Sequence, residues 1–224
     1  MTRSPFETVT TGAPQAEPNP FSKAALFDLG ERGLVILLFI HFAYIAISSF
    51  ERSLDIRSLL LLISETLPVA LVIMRKPSAS LSLRFWDWIF GLAGTTFPLL
   101  IVPAPGLQAL APGFIFYSFI IGGLFLQISA KLSLGTSFGI IAANRGVKIE
   151  GPYRFVRHPM YVGYILTHIG LLIAFPSPRN AFLYLVTLAF QIVRIGCEER
   201  VLKQDAQYRD FAQRVRYRLF PGVF

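Results

Sequence analysis

The chain is 224 residues long, 54% hydrophobic, and carries 21 Lys and Arg against 13 Asp and Glu, a formal charge of +8. A mean hydropathy of +0.56 is too apolar for a soluble domain of this size and indicates a membrane protein with room for one compact bundle. One Cys rules out an internal disulfide, and that Cys with three scattered His offers no zinc or haem spacing, so no metal is expected.

Residues 1–22 place Pro5, Pro14, Pro18 and Pro20 among Ser, Thr and Glu without a long apolar run. This predicts a disordered tail rather than a signal peptide, which needs an apolar stretch behind a basic start. The membrane candidates follow. Residues 33–50 are free of formal charge, and 58–74 are apolar except for Glu65. Residues 88–130 contain no charge, and VPAPGLQALAPG (102–113) divides them into two spans. A last pair, 160–178 and 180–193, is joined by a PSPRN turn. The first four approach the ~20 residues needed to cross ~30 Å of hydrocarbon; the last two are shorter and form either a complete or a shallow, re-entrant hairpin. The expected fold is an all-α, polytopic transmembrane bundle of about six spans with both termini cytoplasmic. It divides into the tail 1–22, a four-span region 23–132 and a C-terminal core 133–224.

This layout puts 18 of the 21 Lys and Arg on the cytoplasmic side and leaves only Arg52, Arg57 and Arg179 outside, in keeping with the positive-inside rule. The basic charge is then topology, with some attraction to anionic lipid, and requires no nucleic acid. A short, disulfide-free chain with small loops suits a bacterial inner membrane.

The stretch GPYRFVRHPMYVGY (151–164) stands on the cytoplasmic side before the fifth span. Pro159 fits the first turn of a helix, which sets His158 at the helix start beside unpaired backbone N–H groups and the positive end of the dipole. With Arg154 and Arg157 adjacent, this spot favours a carboxylate or phosphate. Tyr153 and Tyr161 add aromatic faces and hydroxyls. On composition alone the plainer reading of the cluster is a juxtamembrane anchor for anionic lipid.

The sixth span leaves the membrane as FQIVRIGCEERVL (190–202). Arg194 and Glu198, four apart, share a helix face and can pair, and Glu199 follows. A short connection makes the last two helices antiparallel neighbours, so the two polar sets should converge at the cytoplasmic end. Other residues have plainer readings. His41 and His168 read as hydrogen-bonded packing residues. Glu65 reads as a costly intramembrane carboxylate facing a partner or cavity. Gly122 and Gly123 serve close helix packing, and Cys197 is incidental.

Together, GPYRFVRHPMYVGY, the apolar hairpin, RIGCEERVL and the tail YRDFAQRVRYRLFPG resemble the C-terminal core of the isoprenylcysteine carboxyl methyltransferase and phospholipid methyltransferase superfamily. The resemblance covers residues 133–222 and rests on Arg-His-Pro-x-Tyr followed by Glu-Glu-x-x-Leu. It implies a membrane-embedded methyltransferase using S-adenosylmethionine, with Tyr153, His158, Tyr161 and Glu198 around the cofactor, Glu199 completing the cofactor motif, and Arg194 on the acceptor side as the catalytic candidate; the cations Arg157 and His158 would hold the cofactor's carboxylate. It also implies a lipophilic acceptor arriving from the bilayer: a phospholipid amine, a prenylated cysteine carboxylate, a small thiol or another isoprenoid. The isoprenylcysteine branch has His-x-Leu-Val where this chain has Arg145-Gly146-Val147-Lys148. NADPH-dependent membrane sterol reductases carry a similar Arg-His-Pro-x-Tyr, commonly with Asn before the Tyr, where this chain has Met160. A third reading is a non-catalytic membrane scaffold, against which the intact motif residues count.

Overall fold

The computed structural model describes residues 23–53, 72–74, 80–82, 84–100 and 108–224. The expected tail 1–22, Glu65 and most of 58–74 lie outside the described residues. The chain is helical: α1 (Lys23–Ser53), α2 (Phe85–Thr96) running into a 3-10 turn (Phe97–Leu100), α3 (Gly113–Leu134), α4 (Pro159–Ala174), α5 (Pro178–Leu202) and α6 (Ala206–Arg214). A two-residue ribbon pairs β1 (Ser80–Leu81) antiparallel with β2 (Ala143–Asn144).

Three of these helices, α1, α3 and α5, are long and apolar enough to cross a bilayer. At 1.5 Å per residue, 22 residues of α3 reach about 33 Å, whereas the 16 residues of α4 reach about 24 Å. The last hairpin thus joins a short helix to a long one. Prolines set both starts: Pro159 and Pro178 occupy first-turn positions, and the Ser177 side chain accepts a hydrogen bond from the Asn180 N–H, closing one of the orphan donors of α5.

Helix α4 packs along α3 more extensively than along α5. The seam is antiparallel and made of small residues. A Cβ on Gly123 would stand 2.4 Å from Thr167 Oγ1 and 2.7 Å from the Gly163 carbonyl, and one on Gly163 would stand 2.8 Å from the Gly123 carbonyl. Within the seam Gln127 donates to Thr167 Oγ1 at 2.8 Å. The packing expected of Gly122 and Gly123 falls on Gly123 alone, because a Cβ on Gly122 meets nothing within 4 Å; adjacent helical residues point about 100° apart. Gly123→Ala is therefore expected to lower thermal stability by about 1–3 kcal/mol, the usual cost of overpacking, while Gly122→Ala leaves the melting midpoint in detergent unchanged or higher.

Helix α2 runs antiparallel to α5. Phe90 and Phe97 set their rings 6.0 and 5.0 Å from Phe190, and Arg200 Nη2 clamps Asp87 Oδ1 at 2.6 Å. The outward faces stay apolar, with Leu37, Ile40, Phe125, Phe182 and Leu185 all exposed, as lipid contact requires. His41 is exposed on α1 rather than packed, whereas His168 does pack, its ring 4.6 Å from that of Tyr184. The start of α1, the end of α3, the start of α4 and the end of α5 meet at one end of the bundle, and the polar residues gather there.

Candidate functional site

That end holds a cavity. Its walls come from the loop after α3, the 3-10 turn Gly151–Arg154 that carries Tyr153, the start of α4 and the end of α5, and α6 closes it through Tyr208 and Phe211. The sequence-predicted residues Tyr153, Arg157, His158, Tyr161 and Glu198 all line it.

Glu198 is the half-buried carboxylate of the wall, its side chain 18% accessible. Its Oε1 accepts from the Tyr161 hydroxyl at 2.5 Å and from Arg194 Nε at 3.1 Å. The i, i+4 pairing expected of Arg194 and Glu198 is present, and Tyr161 joins it from the facing helix. Arg194 itself is only 6% exposed and is not part of the cavity wall. Its guanidinium also donates to Thr95 Oγ1 at 3.3 Å and the Gly139 carbonyl at 3.4 Å, and lies 5.5 Å over the Tyr161 ring. Arg194 is the buttress behind Glu198.

Glu199 faces the other way. It is 2% exposed, and its carboxylate is ringed by Arg157 Nε at 2.9 Å, Arg218 Nε at 3.0 Å and Lys203 Nζ at 3.4 Å. A buried carboxylate is costly unless paired and hydrogen-bonded, and these partners from the segment before α4, the tail and its own helix satisfy it. Glu199 is not in the cavity wall; it ties the tail to the hairpin. His158 sits between the two carboxylates, Nδ1 3.7 Å from Glu198 Oε2 and Nε2 3.5 Å from Glu199 Oε1.

The tail completes the clasp through backbone. The Arg157 N–H donates to the Tyr217 carbonyl and the His158 N–H to the Arg218 carbonyl, both at 2.9 Å. These bonds hold the chain out of the helical region before Pro159, where a proline already disfavours helix. Burial, reinforced by the Glu198 charge, pushes the Tyr153 phenol well up. Burial with Glu199 does the same to Tyr208. Both phenols therefore stay neutral at physiological pH.

Sequence reading missed the loop wall, where Gly139, Ile141, Ala142 and Val147 face the cavity. Its one signal was an apolar run, GIIAA, set between glycines in a segment too short to span a membrane. It also missed Tyr208 and Phe211, whose spacing of three on one helix face was a readable sign.

The donor set suits a ligand of mixed charge. Glu198 offers a carboxylate for a cation or hydroxyls, and Arg157, Lys148 and His158 offer cationic or donor groups for an anion. Ile141, Val147 and Leu202 offer an apolar wall for a flat ring.

The helical bundle thus brings the Arg-His-Pro-x-Tyr and Glu-Glu-x-x-Leu segments together at one cavity. Residues 114–208 match the phospholipid methyltransferase family model. Over 104 residues the chain is 34% identical to protein-S-isoprenylcysteine O-methyltransferase B of Arabidopsis thaliana and 32% identical to protein-S-isoprenylcysteine O-methyltransferase A of the same plant. Each match covers 43% of this chain and 53% of the relative, so the chain spans about half the length of the curated relatives it matches. These relatives are methyltransferases and lend no support to the reductase reading.

Proposed function

We propose that the chain is an S-adenosylmethionine-dependent methyltransferase acting on a lipophilic acceptor, either a prenylated cysteine carboxylate or a phospholipid amine. The observation that carries this reading is Glu198: a wall carboxylate fixed by Tyr161 and Arg194, opposite a cluster of cations and neutral phenols. Bound there, S-adenosylmethionine would supply an electrophilic methyl on a sulfonium, a leaving group that needs no general acid.

The work of the protein is then binding and alignment. Glu198 would take the donor's amino group or ribose hydroxyls, and Arg157 with His158 would orient its carboxylate. The rings of Tyr153 and Tyr161 would face its positive centre. Arg194 acts from behind, holding Glu198 and Tyr161 in place. The six-span layout, with both termini and the cavity on the cytoplasmic side, follows from the distribution of Lys and Arg. It lets a water-soluble donor arrive from the cytoplasm and the acceptor from the lipid of a bacterial inner membrane.

The test is transfer of a radiolabelled methyl group from S-adenosylmethionine by membranes carrying the chain. N-acetyl-S-farnesylcysteine and phosphatidylethanolamine are offered in separate reactions. Label in a base-labile ester identifies the carboxylate, label in a methylated amine headgroup identifies the phospholipid, and label in neither, at any protein concentration, rejects both acceptors.

A further inference from the structure

The N-terminal helix lies outside the residues shared with the methyltransferase family, yet it reaches the cavity wall. Glu31 is 0% exposed, and its Oε1 accepts from the backbone N–H groups of Ile140 and Ile141, at 3.0 and 3.1 Å. One turn earlier on the same face, Asp28 Oδ1 lies 3.4 Å from Arg145 Nη2. The Arg145 side chain crosses Gly139 so closely that a Cβ there would stand 2.3 Å from Nη1. A helix end thus fastens both ends of the 139–145 loop.

The loop's backbone groups are used in the same way elsewhere. The Gly139 carbonyl accepts from Arg194 Nη2 at 3.4 Å, and the Ala142 carbonyl accepts from the Ser82 N–H at 2.9 Å. With its amides and carbonyls drawn away to α1, α5 and the β1 ribbon, the segment turns Ile141 and Ala142 to the cavity. Burying a carboxylate to serve two loop amides is expensive and calls for a purpose. Here the groups it holds are backbone of the cavity wall, at 109 and 110 residues' separation in sequence.

We infer that Glu31 is a positioning residue for the ligand cavity: by accepting from the Ile140 and Ile141 amides it sets the loop wall against which the methyl donor binds. The inference rests on the proposed methyl-donor reading. Its requirement is an acceptor of glutamate length, not a charge as such. Glu31→Gln keeps an oxygen at that reach. Glu31→Asp keeps the charge but falls one methylene short, and Glu31→Ala removes both.

The test is calorimetric titration of the detergent-purified full chain with S-adenosylhomocysteine, alongside amide hydrogen exchange of the peptide containing 139–142 without ligand. Glu31→Ala and Glu31→Asp should each weaken binding about tenfold or more, the loss expected when both loop hydrogen bonds are removed, and speed exchange at Ile140 and Ile141. Glu31→Gln should stay within about threefold of the unaltered chain. A fall in melting midpoint with unchanged affinity in the Ala and Asp variants would mean a structural role only and overturn the inference. So would equal weakening in all three variants. Failure of the unaltered chain to bind S-adenosylhomocysteine is read before any variant and defeats the underlying methyl-donor reading instead.

Discussion

Glu199→Ala is expected to be the most damaging single substitution in the C-terminal part of the chain. It removes a carboxylate that lies within 4 Å of Arg157, Lys203 and Arg218 together and leaves the Arg157 side chain, 10% exposed, without that partner. Removing one member of a buried pair costs about 3–5 kcal/mol, because the remaining charge stays desolvated. The exposed ends of Arg218 and Lys203 regain water and soften that figure toward its lower limit. Thermal or denaturant unfolding in detergent would show the loss, together with faster proteolysis of 215–224 as the tail comes away. A midpoint within 1 °C of the unaltered chain would mean that Glu199 does not tie the tail.

The second large effect falls on binding rather than stability. Glu198→Gln keeps an oxygen for the Tyr161 hydroxyl and Arg194 Nε, so the fold and the buttress should persist. What is lost is the charge presented to the cavity. A charge-assisted hydrogen bond contributes about 1.5–3 kcal/mol, so affinity for S-adenosylhomocysteine should fall roughly 10- to 100-fold with little change in melting midpoint. An unaltered affinity would take Glu198 out of the binding site. The two adjacent glutamates are thus expected to separate cleanly, one by unfolding and the other by titration.

That separation illustrates what the sequence could carry. The i, i+4 spacing of Arg194 and Glu198 foretold their pairing, and the short PSPRN connection foretold that the start of α4 would meet the end of α5. Both follow from local geometry that a helix imposes on its own residues. Roles that depend on partners far along the chain were not legible. Glu199 is adjacent to Glu198 and identical in type, and only the fold shows that one faces a cavity and the other Arg218. Glu31 left no local sign either, because its partners are backbone amides of a loop more than a hundred residues away. The packing of α4 along α3 was also hidden: helices apolar all round carry no stripe that names their neighbour. Small residues at Gly123, Gly163 and Thr167 marked the seam, but their pairing required the two helices side by side. For the lengths of the spans, composition was a fair guide to α3 and to a short α4, which stops at 16 residues where Phe175 leaves the helical region. It gave no way to see that α5 would run 25 residues, because the charged end beyond the apolar stretch 180–193 stays helical as far as Leu202.

Isothermal titration of the purified, detergent-solubilised chain with S-adenosylhomocysteine and, separately, with NADPH tests whether the cavity between the starts and ends of these helices holds the methyl donor. Saturable binding of S-adenosylhomocysteine at one site per chain is expected, and no heat with NADPH. Saturable binding of NADPH without S-adenosylhomocysteine binding would contradict the methyl-donor reading and move the cavity to reductive chemistry.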